Sequence, residues 1–410
     1  MTTPATSATR AIPETTAATT APPELRGVGL TLDPVSLDSF FAEHWDREPL
    51  LVARGEPRRF DSVLSRDDVQ RLVCETGIRV PAFRLVKDGE QVPLREYTRD
   101  VPWRPGSFSS MADVGRVAEK FAGGATIVLQ GLHLHWHPAA LYCRALEGAL
   151  GCPVQANAYY TPAAARGFDV HHDTHDVFVL QVSGTKRWRW YEPVRELPLK
   201  DQKWSGDTDR PGPPVADVTL AAGDTLYLPR GWPHEAFTSD DHSLHLTVGL
   251  HPPTRIDALR AALDDCADDV EFRRGLGDEG ELPGHLLERI AARLGPEEVA
   301  RRTRRRFVLG RRPILDGQLD QMAALPGITT DAQLKRRPTV IAELELDGDV
   351  ATLVFEGKEI AFPPQARAEV EAIFAAPGSF TAAELPGRLD EAGRLVLVRR
   401  LVREGFLRAG

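Results

Sequence analysis

The stretch from Gly167 to Trp190, G-F-D-V-H-H-D-T-H-D-V-F-V-L-Q-V-S-G-T-K-R-W-R-W, holds the residue types best suited to chemistry. On a strand, residues two apart share a face, so His171 and Asp173 point one way and His172 the other. An imidazole and a carboxylate side by side are two ligands of a metal site. His175, a full pleat further on, converges less well and stays open as a rival ligand. A third ligand is expected from a strand folded back against the first. Gly223 to His234, G-D-T-L-Y-L-P-R-G-W-P-H, supplies one, because a Gly-Asp turn, a short apolar strand and a Pro-Arg-Gly turn together present His234. Two histidines and one carboxylate with the other positions open make the facial triad of non-haem Fe(II) oxygenases.

Such a centre keeps a net positive charge and attracts an anionic 2-oxo acid. A 2-oxoglutarate held through its 2-oxo acid end sends its distal carboxylate deeper, where burial demands a cation or a hydrogen-bond donor. Lys186 shares strand parity with Trp188 and Trp190 and is expected to point inward. The alternative is a surface lysine that snorkels beside tryptophans packed elsewhere.

The elements that must position these residues are short strands. Val154–Thr161, Phe168–Asp173, Val218–Ala221, Thr225–Leu228, His234–Thr238 and Ser243–Leu250 are expected to join a hairpin of Val177–Val182 and Thr185–Tyr191 turning at Ser183-Gly184. Many short strands with Gly and Pro turns indicate a barrel or sandwich. Upstream, a helix over Arg66–Thr76, a strand over Ala82–Val86, a helix over Ser110–Phe121 capped by Ser110, and a strand over Ala125–Gln130 carry no chemistry. The alternating His133, His135 and His137 lack a carboxylate and read as the approach to a helix starting at Pro138. Downstream come helices over Ile256–Val270, Pro283–Leu294 and Pro296–Phe307, the last ending in R-R-T-R-R-R-F, a solvated or partner-facing surface. From Ile341, two strands and three helices follow, one of them opened by the capping box Thr381-Ala-Ala-Glu384. That order suits a winged helix.

With 410 residues the chain can form two or three domains. A net charge of -9 and the balance of arginines against carboxylates after Gln365 argue against nucleic-acid binding, DNA included. No apolar run has membrane-spanning length and the N-terminus lacks a secretion signal, so a cytoplasmic protein is expected. Residues 1–27 are Thr, Ala and Pro with few large apolar side chains and are expected to be disordered. Cys74, Cys143, Cys152 and Cys266 lack paired spacing and read as reduced thiols.

On N-A-Y-Y-T-P at Asn157 to Pro162, H-H-D-T-H-D-V-F-V-L-Q at His171 to Gln181, G-T-K-R-W-R at Gly184 to Arg189 and the Gly223 to His234 segment, the chain resembles the JmjC-domain 2-oxoglutarate oxygenases of the cupin superfamily. Among these it is most similar to the ribosomal oxygenases, which are protein hydroxylases. The resemblance implies an α+β fold in which a JmjC/cupin double-stranded β-helix barrel (28–252) precedes a helical dimerisation segment (253–335) and a C-terminal winged helix (336–410). It implies Fe(II) held by His171, Asp173 and His234, with 2-oxoglutarate and dioxygen as co-substrates. Lys186 becomes the partner of the distal carboxylate, and Asn157 and Tyr159 residues near the co-substrate. The roles of His172, His175 and His245 stay open, His245 as an outer support of the site or a buried structural histidine. The implied function is hydroxylation of a side chain on a protein, a ribosomal protein being the family's typical target, by a homodimer. The competing readings are a hydroxylase of a small molecule or peptide natural product, and a non-enzymatic cupin-type regulator.

Overall fold

The computed structural model describes residues 27–163, 165, 169–237, 241–276, 280 and 282–410. The tail expected to be disordered lies, up to residue 26, outside the described residues.

The strand Asp176–Tyr191 organises the fold. It was expected as a hairpin and is one continuous sixteen-residue strand. Its first half pairs with Thr225–Leu228 on one side and Ser243–Leu250 on the other. Its second half pairs with His234–Phe237 and Pro214–Ala221. Ser183-Gly184 therefore bends the strand from one sheet into a second instead of reversing it. Gly184 is in the left-handed region (φ 65°), and a Cβ there would run into the His242 carbonyl, so the bend admits glycine alone.

The first sheet continues outward through Val154–Thr161, Thr126–Leu129 and Phe83–Lys87, all antiparallel. The run V-F-V-L is apolar at every position because both faces are covered. Phe178 and Leu180 enter a large core with Leu244, Leu246, Val248 and the buried face of the helix His137–Leu150. Val177 and Val179 face the other way, with Trp188, Trp190, Leu220, Leu226 and Leu228 between the two sheets.

Three further expectations are corrected. No strand forms over the described part of Phe168–Asp173; His171 makes one isolated bridge with His234. Ser110 does not cap a helix but lies in the strand Gly106–Ala112, whose pairing with Thr98–Trp103 delays the helix to Val114–Ala122, capped by Asp113. The Thr381 amide and hydroxyl donate to Glu384 as in a capping box (2.8 and 3.0 Å), yet a turn follows and not a helix.

Beyond the strands lie the helices Arg255–Asp264, Gly284–Ala292, Pro296–Leu309 and Gln318–Ala324. The arginines of the basic run meet carboxylates of the same chain: Arg302 with Asp265 (2.6 Å), Arg304 with Glu343 (3.0 Å) and Arg305 with Glu345 (2.9 Å) and Glu359 (2.6 Å). The last region has a three-stranded antiparallel sheet, Ala342–Asp347, Val350–Phe355 and Lys358–Phe362, and two helices, Arg367–Ala375 and Glu391–Glu404. Its core also takes in Phe307, Val308 and Leu325. A buried ion cluster ties this region to the helix His137–Leu150. Arg144 contacts Glu147 (3.0 Å), Glu356 (2.5 Å) and the carbonyls of Thr339 and Arg312, while Arg311 closes on Glu147 from the far side.

Candidate active site

His171, Asp173 and His234 each place a ligand atom within 4.8 Å of the others. His171 and His234 exchange both backbone hydrogen bonds (3.2 and 2.8 Å), and the Gly231 amide donates to the Asp173 carbonyl (3.0 Å). The turn after Leu228 is thus stitched onto the segment that carries the other two donors.

Both imidazoles are aimed in the same way. His171 Nδ1 lies 2.7 Å from the Asp169 carbonyl and His234 Nδ1 3.0 Å from the Trp232 carbonyl. A carbonyl only accepts, so each Nδ1 carries the proton and each Nε2 keeps its lone pair for a metal. His234 Nε2 stands 3.8 Å from Asp173 Oδ2. Burial, reinforced by His171, pushes the His234 imidazole down to about 4, so it is neutral at neutral pH, the form that ligates. For Asp173, burial favours the neutral acid, but the surrounding histidines, His234 foremost, outweigh it and hold the carboxyl below its ordinary range. Two neutral nitrogens and one carboxylate suit a divalent first-row metal.

These donors open into a cavity of about 200 Å³ that also receives Tyr159, Lys186, Trp188 and His245. Lys186 is buried, and burial alone pushes its ammonium down to about 8. Among the described residues no carboxylate lies within ion-pair distance of it; its ammonium sits 6.0 Å from the Trp188 ring centroid. The Trp188 indole nitrogen and His245 Nδ1 are buried without a hydrogen-bond partner among the described residues. Unmatched donors around a buried ammonium form a cradle for an anion. His245 stacks on Tyr159 (5.0 Å, 4°) and packs edge-on to Trp188 (5.6 Å), and burial together with Lys186 holds it neutral.

The remaining sequence candidates fall elsewhere. His172 turns away, its Nε2 3.2 Å from the Gln202 carbonyl and its ring edge-on to Trp204. His175 stacks on His251 and is not in the metal-binding cluster. Asn157 does not line the cavity; its Oδ1 accepts from the Gly131 amide (2.8 Å), although its register partner Thr247 does line it. Arg84, Glu235 and Thr247 in the cavity wall were not singled out from sequence. Strand parity with His245 was the signal that could have found Thr247; Glu235, next to His234, has the opposite parity and no local signal. Arg84 lies on a distant strand without a motif.

Residues 132–258 match the JmjC domain family. The bifunctional lysine-specific demethylase and histidyl-hydroxylase NO66 of Drosophila mojavensis is 25% identical over 349 residues, covering 82% of this chain and 35% of that protein. Its Drosophila melanogaster counterpart is 31% identical over 229 residues, covering 54% of this chain and 33% of that protein. The chain thus spans about a third of the length of these curated relatives. Among solved structures, the Escherichia coli ribosomal oxygenase YcfD is similar with a TM-score of 0.54 at 18% identity, covering 92% of this chain and 98% of that one. The same protein in complex with cobalt and 2-oxoglutarate gives a TM-score of 0.50 at 18% identity, covering 92% and 99%. At that identity the likeness is one of fold.

Proposed function

We propose that this chain, which carries a JmjC domain over residues 132–258, is an Fe(II)- and 2-oxoglutarate-dependent oxygenase that hydroxylates a side chain of a protein. One observation carries the reading: the His171–Asp173–His234 cluster and the buried Lys186 share a single cavity. The relatives named for histidyl hydroxylation and for ribosomal oxygenation favour a protein substrate, and a ribosomal protein in particular.

Bound iron, 2-oxoglutarate and dioxygen supply oxidative decarboxylation coupled to hydroxylation. The chain's own residues do the rest. His171, Asp173 and His234 would hold the metal, and Lys186, with the Trp188 indole and His245, would take the distal carboxylate. Tyr159, stacked on His245, fixes that wall, and Asn157 adjoins it through Thr247. The tryptophans and valines between the sheets keep water from the site.

The proposal includes the organisation expected from the resemblance: a double-stranded β-helix over 28–252, a helical dimerisation segment over 253–335 and a winged helix over 336–410. The bend of Asp176–Tyr191 between two sheets supports the barrel. Exposed Leu259, Leu263 and Leu287 on the helices support a homodimer. No helix among the described residues is long and apolar enough to cross a membrane, and a ribosomal target goes with a cytoplasmic location.

The test is succinate formation by the purified protein with Fe(II), ascorbate and 2-oxoglutarate, abolished in His234→Ala. A wild type that neither binds nor turns over 2-oxoglutarate ends the reading.

A further inference from the structure

A second group of histidines lies just outside the cavity. The inward row of Ser243–Leu250 runs His245, Thr247, Gly249, and the next residue of that parity is His251. His245 and Thr247 line the metal cavity. Gly249 carries the ring of His175: a Cβ there would stand 2.7 Å from His175 Cδ2, so a side chain would push the ring away. That ring stacks on His251 with centroids 4.7 Å apart and planes 22° apart. His251 in turn lines three cavities, of about 570, 410 and 230 Å³. The largest is walled by His133, His135 and His137, the alternating motif that the metal site leaves unused. The smallest reaches Thr174 and His175, immediately after Asp173 in the chain.

We propose that these joined cavities are the track in which an extended segment of the polypeptide substrate lies, with the His175–His251 stack as the platform where that segment leaves the metal site. The inference rests on the hydroxylase reading and adds to it where the substrate chain runs and what reads it. Burial pushes His133 down and, with His175, His251 down to about 4, so both rings are neutral. A neutral imidazole has one donor and one acceptor, which is what a peptide backbone requires; His133 already spends its acceptor on the Ala156 amide (3.2 Å) and offers only its donor. In the largest cavity the strongest charges are already engaged, Arg144 and Arg311 with Glu147, and Arg312 with the Leu134 carbonyl (2.7 Å). That part of the track reads backbone and shape more than charge. From Thr247 to His251 is about 13 Å at ~3.3 Å per residue. Residues roughly three to five positions from the hydroxylated one therefore lie against His251.

The test places a photo-crosslinker on the track in the full chain, expressed in the cells from which the gene comes. His135, exposed on the wall of the largest cavity, is replaced as His135→p-benzoylphenylalanine. The expected product is an adduct with a polypeptide that has gained one oxygen on the same segment as the crosslink. Adding His251→Ala, in a chain whose far-UV circular dichroism is unchanged, is expected to remove that adduct. An adduct with RNA, an adduct on a polypeptide with no added oxygen nearby, no adduct, or an adduct that persists with His251→Ala each overturns the track. The hydroxylase reading fails separately, through absence of succinate from the purified wild type.

Discussion

At the scale of single residues, the buried Lys186 invites the sharpest prediction. Removing one partner of a buried charge pair costs ~3 kcal/mol, so Lys186→Met should raise the KM for 2-oxoglutarate by roughly a hundredfold, measured by succinate formation. Because burial pushes the ammonium down to about 8, kcat/KM for 2-oxoglutarate should fall as pH rises through that value. Stability without ligand should run the other way. The folded state loses this proton near 8 and the unfolded chain near the ordinary 10.5. Between the two the unfolded chain binds more protons, so urea midpoints should rise with pH. His171, Asp173, His234 and Lys186 were legible because they sit in compact motifs. Arg84 and Glu235 were not, since pairing across sheets brings them to the cavity and no local spacing announces it.

At the scale of elements, Gly184 decides the architecture. Gly184→Val would put a β-branched residue at φ 65° and drive its Cβ into the His242 carbonyl. The expected cost is about 3 kcal/mol or more, read as a lowered urea midpoint. The same glycine shows where sequence reading stopped. Ser-Gly between two apolar runs has the signature of a tight turn, and only the separate partners of the two halves distinguish a bend from a reversal. By contrast, Val154–Thr161, Thr225–Leu228 and Ser243–Leu250 were expected with the bounds observed. Each is a stretch of regularly spaced apolar residues bounded by Gly, Pro or charged residues, so its ends are marked locally.

At the scale of the whole molecule, the Arg144 cluster joins the region that holds His171, Asp173 and His234 to the last core. Glu356→Leu would leave the Arg144 guanidinium buried with one partner fewer, at a cost of about 3 kcal/mol. Adding Arg144→Met should restore part of that stability, since no uncompensated cation stays buried; urea titration of the two variants checks this. Wild type should unfold in one transition by circular dichroism and by tryptophan fluorescence. The cluster could not be read from the sequence, because Arg144 and Glu356 lie 212 positions apart. The basic run on Pro296–Leu309 shows the same limit: it read as a surface for solvent or partners, and Arg304 and Arg305 face Glu343 and Glu345 of this chain.

The two imidazoles held by carbonyls two residues back bear on metal competition. A site aimed before any ion arrives presents the same nitrogens to every ion, so its preference follows the intrinsic order of first-row metals, in which zinc outranks ferrous iron. Zinc should therefore displace Fe(II) and stop succinate formation, with excess Fe(II) restoring it after a chelator; a titration of turnover against the two metals checks this. Which ion the protein carries is then set by supply in the cell and not by the fold.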